Sequence, residues 1–194
     1  MPSPPDASVI ALVLAAGQGR RFGSDKRRAL LPDGTPLLVA TLKNAQRAFA
    51  RVCVVLRTTD DPQRLGVPSG VELVFCAEAE SGMGHSLAAG IRHLRDQPAV
   101  AIALLLGDMP WIRQDTLKRL LAQATAQHIV FPLVQGRRGH PVLFGREFWP
   151  PLAQLTGDAG AKALLDEHPQ ACIAVPVHDP GVLRDVDTPA ALQD

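Results

Sequence analysis

Three cysteines in 194 residues, Cys53, Cys76 and Cys172, are too few and too scattered for a disulfide framework or a CxxC metal site. They fall inside apolar runs, where a small buried free thiol is the expected role. No apolar run approaches the ~18 residues of a membrane span. The opening "MPSPPDAS" has neither the basic nor the separate apolar region of a signal peptide. A reducing, cytoplasmic setting is therefore expected. Neither sign of charge dominates: the net charge is +1, so nucleic acid and membrane surfaces are not expected partners, and any anion site must be local. There is no Gly-Lys pair, hence no Walker A loop. Repeats, low-complexity segments and long linkers are absent as well. Residues 1–194 are expected to form a single domain, with 1–8 flexible, and a chain of this length buries roughly 70% of its unfolded surface.

What is present is an alternation. Apolar runs at 9–14, 52–57, 71–76, 100–106, 128–134 and 171–177 are mostly continuous, as strands covered on both faces are. Between them lie one-sided helical stripes: Leu38, Leu42, Ala45, Phe49; Leu87, Ile91, Leu94; and Leu117, Leu120, Leu121, Ala124. Asp158 is placed to cap a further short helix in "GDAGAKALL". The pattern predicts a three-layer α/β/α Rossmann-like sandwich on a mostly parallel sheet. The stretch 134–148, "VQGRRGHPVLFGREF", breaks the alternation and reads as a hairpin or excursion, with Pro141 arguing against a central strand.

In such sheets ligands bind beyond the carboxyl ends of the strands. The loop after the first run, "LAAGQGRRFGSDK" (14–26), offers Gly17, Gly19 and Gly23, whose backbone can approach an anion closely. Arg20, Arg21, Lys26, Arg27 and Arg28 add charge opposed only by Asp25. Phe22 stands where a dinucleotide fingerprint needs its third glycine. Asp108, in "LLLGDMP", ends a buried strand on the same sheet edge, as a metal ligand or as the cap of the next turn. Asp185 and Asp187 share a face of an extended segment, and Asp187 also reads as a helix cap before Thr188-Pro189. Nothing in the sequence alone brings Asp187 beside Asp108. His85 either touches a ligand or only begins a helix; His140 is a substrate contact or a turn residue. Trp111 and Trp149 read as packing.

Six segments in order, "LAAGQGRRFGSDK", "GMGHSLAAGI", "GDMP", "GHPVLF", "GDAGAKALL" and "DVDTP", resemble the nucleotidyltransferases that act on the molybdenum cofactor, of the MobA/MocA-like NTP transferase family. The resemblance runs from about residue 9 to residue 191. It implies a Mg²⁺-dependent enzyme that transfers CMP from CTP to the phosphate of a molybdopterin-type substrate, releasing pyrophosphate. It places Gly17, Gly19, Arg21 and Lys26 on the triphosphate, Ala15 and Ala16 by the nucleotide, and Gly82, Gly84 and Ser86 along base and ribose. Arg21, Lys26 and Asp108 become the catalytic set, and Asp108 with Asp187 the Mg²⁺ ligands. His140 and the 157–162 loop, with Asp158, Gly160 and Lys162, would face the pterin. Ala16 would favour cytosine over guanine. Gly19 and Lys162 depart from the family's usual Ser and Arg. Three other readings stand beside this one: a transferase using GTP or another acceptor such as a sugar phosphate, a non-catalytic cofactor-binding chaperone of a molybdoenzyme, and an NAD-dependent oxidoreductase, which Phe22 disfavours. In the first reading, too, a molybdoenzyme or its maturation chaperone is a possible partner.

Overall fold

The computed structural model describes residues 8–17, 22–158 and 160–192. Of the leader expected to be flexible only Ser8 is described, and the site candidates Gly19 and Arg21 lie outside the described residues.

Strands β1 (Val9–Leu14), β2 (Arg51–Arg57), β3 (Val71–Cys76), β4 (Ala101–Leu106), β5 (Ile129–Val134), β6 (Arg137–Arg138), β7 (Val142–Gly145) and β8 (Cys172–Pro176) make one sheet. Its order is β3-β2-β1-β4-β7-β5-β6, with β8 paired to β5. Pairings β1–β2, β1–β4, β2–β3 and β5–β8 are parallel. The chain runs outward from β1 to β3, then crosses back to β4 on the other side of β1, so the strand order reverses at β1/β4. That reversal opens the crevice where open α/β sheets bind ligands.

Helices cover both faces, as the stripes predict. On one face α1 (Leu37–Ala48) and α3 (Gln114–Leu121) pack Leu38, Leu42, Ala45, Leu117 and Leu120 against Val9, Ala11, Val13 and Ala103. On the other, α2 (Met83–Leu94), α4 (Trp149–Leu152) and α5 (Lys162–Glu167) pack Leu87, Ile91, Leu94, Leu152 and Leu164 against Ile10, Leu12 and Ile102. Gly90 lets α2 lie close: a Cβ there would come within 2.7 Å of Leu12.

Three expectations need correction. Pro141 does not keep its segment out of the sheet centre. It stands just before β7, which inserts antiparallel between β4 and β5; the missing N–H falls outside the ladder, so the strand forms. Asp158 does not cap the last helix, which starts at Lys162 after Ala161 with no side-chain cap. The runs at β3 and β8 are not covered on both faces, because both strands are edges; Leu73 and Phe75 are exposed on β3. Cys53 and Cys76 are buried and all three cysteines are free; burial pushes the Cys53 thiol up to about 12. Trp111 packs under Arg184, and the buried Trp149 donates its indole N–H to the Phe144 carbonyl.

Phe144 pairs across both ladders, with Ile102 on β4 and Ile129 on β5, and has no exposed surface. Phe144→Ala leaves a cavity where the antiparallel strand is wedged and is expected to cost about 3–5 kcal/mol, read as a shift of the urea midpoint with unchanged slope.

Candidate active site

Strands β1 and β4 run in register from Val9↔Ala101 to Leu14↔Leu106, so their carboxyl ends are level. The first residues past them stay tied to the sheet: Ala15 N–H donates to Val55 O at 3.0 Å and Gly107 N–H to Leu14 O at 2.9 Å. Gly107 suits this crossing, since a Cβ would meet the Ala15 Cβ and the Leu14 carbonyl at 3.1 Å. Asp108 follows at once and lies opposite the Ala15–Gly17 backbone.

A cleft of about 480 Å³ opens here. Ala15, Ala16, Gly17, Lys26, Gly82, Ser86, Asp108 and Asp158 all line it, together with Met83 and Ser81. Eight residues singled out in sequence thus meet in one place. Ala16 borders the cleft, but the residue as a whole is 1% exposed and its methyl packs in the α2-side core, so its side chain gives no direct choice between bases. Gly84 is not in the lining: it is buried and donates its N–H to the Gly157 carbonyl at 2.8 Å. Gly82, with φ 125°, brings this wall together, since a Cβ would stand 2.2 Å from the Gly157 backbone. The 82–84 and 157–158 stretches therefore form one wall of the cleft. His85, at the start of α2, lies 3.4 Å from Glu78.

The carboxyl oxygens of Asp108, Asp185 and Asp187 can come within 4.8 Å of one another. What brings residue 187 to residue 108 is a run of backbone-level contacts. Val186 N–H donates to Asp108 O at 3.2 Å, and His140 N–H to Val182 O at 2.8 Å. Gly139 and Gly181 lie so close to Val182 and Trp111 that a Cβ on either would clash. Asp179, 2% exposed, caps α3 from this returning segment, accepting from Arg113 N–H and the Thr116 hydroxyl at 2.8 Å each. Lys26 Nζ sits among the acids, 2.5 Å from Asp108 Oδ2 and 3.5 Å from Asp187 Oδ1, and donates to the Val186 carbonyl at 3.2 Å. Burial works against its charge, but the hydrogen bond and charge of Asp108, with Asp187 adding, prevail and raise its pKa.

Arg27 is not the phosphate ligand its position in the loop suggests. It is 6% exposed and its five N–H donors are spent. Nε and Nη2 donate to Asp25 at 2.8 Å, Nη1 and Nη2 to Asp60 at 2.6 and 2.7 Å, and Nη1 also to the Ala15 carbonyl at 2.9 Å. The bond to Arg27 is the leading cause that lowers the Asp25 pKa. At Asp60 burial pushes upward, but Arg27 and the Arg57 backbone N–H outweigh it and the pKa falls. Arg57 and Asp60 escaped the sequence reading because they end another strand and begin another loop; only the oddity of a charged pair closing an apolar run marks them.

The expected acceptor residues are dispersed. Lys162 is exposed at the first turn of α5, and Gly160 packs near Met83. His140 is half-buried beside the acids, where desolvation lowers its pKa although a hydrogen bond with the Leu104 backbone and the charges of Asp108 and Asp185 pull the other way; its Nδ1 has no hydrogen-bond partner among the described residues. A second, wider cleft of about 1010 Å³ starts at Asp185 and runs along Arg137, His178 and Arg184.

Comparison with known proteins agrees with this geometry. A family model described as the MobA-like NTP transferase domain matches residues 11–172. Purine catabolism protein PucB of Bacillus subtilis (strain 168) is 34% identical over 191 residues, covering 93% of this chain and 92% of its own. The solved structure of Rv0371c from Mycobacterium tuberculosis H37Rv is 29% identical, with a TM-score of 0.81 over 95% of each chain. A manganese complex of that protein superposes with a TM-score of 0.72 at 28% identity, over 88% of each chain. Molybdopterin-guanine dinucleotide biosynthesis protein A of Archaeoglobus fulgidus, 18% identical with a TM-score of 0.67 over 94% of each chain, shares the fold.

The Arg27 cluster makes the loop sensitive to acid. Because the folded pKa values of Asp25 and Asp60 are lowered, the stability they contribute is full above the ordinary carboxylate value of about 3.9. It is lost as pH falls through the lowered folded values. Asp60→Asn is expected to cost about 2–4 kcal/mol at pH 7. That deficit should shrink as urea melts of both proteins are taken from pH 5 toward pH 3.

Proposed function

The chain belongs to the MobA-like NTP transferase family, and from that premise we propose that it transfers a nucleoside monophosphate from a nucleoside triphosphate to the phosphate of a small-molecule acceptor. The observation that carries this is the meeting of two clefts at one acidic trio: Asp108 lines the first cleft and Asp185 the second. A donor in one and an acceptor in the other would be brought near the same carboxylates.

Three carboxylates offer hard oxygen donors of the kind divalent cations prefer, and a relative of similar length forms a manganese complex. Asp108 and Asp187, joined by Asp185, would hold Mg²⁺ or Mn²⁺. There the ion would supply charge neutralisation for phosphate oxygens. The chain's own groups do the rest. The Ala15–Gly17 backbone receives the triphosphate, with Gly82 and Ser86 along the nucleoside. An acceptor phosphate oxygen attacks the α-phosphorus in line; the new P–O bond forms as the bond to the β-phosphate breaks, and pyrophosphate departs. That oxygen is already anionic, so no protein base takes a proton and the work is positioning and charge neutralisation. Lys26 bears on the departing pyrophosphate, the role the resemblance also gives Arg21.

The alternative sequence expectation, a transferase using GTP or another acceptor such as a sugar phosphate, is better supported than CTP with molybdopterin. The family description names the triphosphate without a base, and Ala16 reads no base with its side chain. The acceptor takes the second cleft, where Arg137, Arg184 and His178 suit an anionic head and the Arg184 guanidinium, 3.6 Å from the Trp111 ring centre, offers a flat face to a ring.

The test is pyrophosphate release with Mg²⁺ and CTP, GTP, ATP or UTP, each with molybdenum cofactor, a set of sugar 1-phosphates, or no acceptor. Release is expected to need both a nucleotide and an acceptor phosphate. Release from CTP with molybdenum cofactor alone would restore the narrower reading. Nucleotide binding with no release in any arm would instead indicate a non-catalytic cofactor-binding chaperone. Asp108→Ala should lower turnover by more than about a hundredfold in a protein that melts like wild type; EDTA should abolish release and added Mg²⁺ or Mn²⁺ restore it. Near-normal turnover in Asp108→Ala would overturn the metal role.

A further inference from the structure

We propose that Arg57 is a positioning residue for the nucleotide, acting through the backbone of the Ala15–Gly17 turn. The inference rests on the nucleotidyltransferase reading above. Where β1 ends, three successive carbonyls lose their ladder partners, and all three are taken by guanidinium groups. Arg27 donates to Ala15 O at 2.9 Å, Arg57 Nε to Ala16 O at 2.9 Å, and Arg57 Nη2 to Gly17 O. In a trans peptide the carbonyl oxygen and the following N–H point in opposite directions. Fixing Ala15 O and Ala16 O on the arginine side therefore fixes the N–H groups of Ala16 and Gly17 on the other. Those are the donors a phosphate needs, and a carbonyl turned toward it would repel it.

Arg57 is the member of the pair that can be tested. It stands at the end of β2, forty residues on from Gly17, and is absent from the lining of the first cleft. It therefore acts on a bound nucleotide through the turn and not by contact. Its own place is set by Asp60, whose Oδ2 accepts the Arg57 backbone N–H at 2.8 Å and Arg27 Nη1 at 2.6 Å. One carboxylate thus aligns both arginines. Unlike Arg27, Arg57 is half-exposed, and shortening its side chain leaves no unpaired buried charge.

Three variants separate hydrogen-bond positioning from charge and from general stability. Arg57→Ala removes both bonds. Arg57→Gln is neutral but carries an amide nitrogen at the position of Nε, so it keeps the bond to Ala16 O. Arg57→Lys keeps the charge and loses the fork. Binding of Mg²⁺-CTP, -GTP, -ATP and -UTP to the full chain is measured by calorimetry, and steady-state constants are taken for the acceptor that supports release. With the nucleotide that wild type binds best, Arg57→Ala is expected to raise Kd about tenfold. The acceptor KM should stay within twofold, and Tm should fall by no more than about 3 °C. Arg57→Gln should recover most of the affinity and Arg57→Lys less. Wild-type affinity in Arg57→Ala overturns the inference. So does recovery by Lys but not Gln, which would make Arg57 a charge contact. A parallel loss in Tm and in both substrates would make it a structural residue only. Failure of wild type to bind any of the four nucleotides overturns the nucleotidyltransferase reading, and this inference with it, without any variant being needed.

Discussion

The register between β1 and β4 is the constraint on which the site depends. Six residue pairs, Val9↔Ala101 through Leu14↔Leu106, bring the two strands to the same level, and the donor turn and Asp108 leave the sheet side by side. A slip of one residue would carry Asp108 about 3.3 Å along the strand and turn its side chain to the other face. Both strands are buried on both faces, by α1 and α3 on one side and α2 on the other. Such a slip would exchange each strand's two sets of core residues, so the hydrophobic packing that stabilises the fold also fixes the chemistry.

The second half of the site is set by a different kind of contact. The carboxyl-terminal segment forms no long ladder where it passes the acids; it is held by single backbone hydrogen bonds and by glycines that permit close approach. Gly139 admits Val182, Gly181 admits the Trp111 backbone, and Asp179 caps α3. These contacts tie together three stretches distant in sequence, 111–116, 139–140 and 179–186, around the hairpin that carries β6 and β7. The antiparallel insertion of β7 therefore does more than widen the sheet. It delivers Gly139 and His140 to the flank of the acidic trio, and the returning chain docks on them.

Local signals in the sequence were sufficient for the parallel core. Continuous apolar runs, helical stripes and the glycines after the first strand all act over a few residues and give the sandwich, the cleft edge, and Gly17, Lys26 and Asp108 within it, whereas Gly82 and Ser86 came only from the family resemblance. What was illegible acts over long separations. Pro141 has a local effect that ends at the next residue, so it misleads about the strand that follows. Asp158 has the right type for a cap, but Gly82 pulls its loop against α2 instead. The charges of Arg27 and Asp60 are thirty-three residues apart, and only the fold makes them a pair. Asp187 needed the whole returning segment to reach Asp108.

The distribution of charge around the cleft follows from that pairing. Five basic residues between 20 and 28 suggest a strongly cationic loop, yet Arg27 is closed off by two carboxylates. Taken with Arg57, the cluster of Arg27, Asp25, Asp60 and Arg57 is formally neutral. Arg suits this role better than Lys, since one planar group satisfies two carboxylates and a carbonyl at once. On the other side of the turn, Lys26 offsets one of three carboxylates and leaves two formal negative charges, which match a divalent cation. On the proposed reading the site divides into a neutral frame that directs peptide dipoles and an acidic seat that would acquire positive character with a divalent ion. A triphosphate bound there would meet attraction and geometry from separate sources.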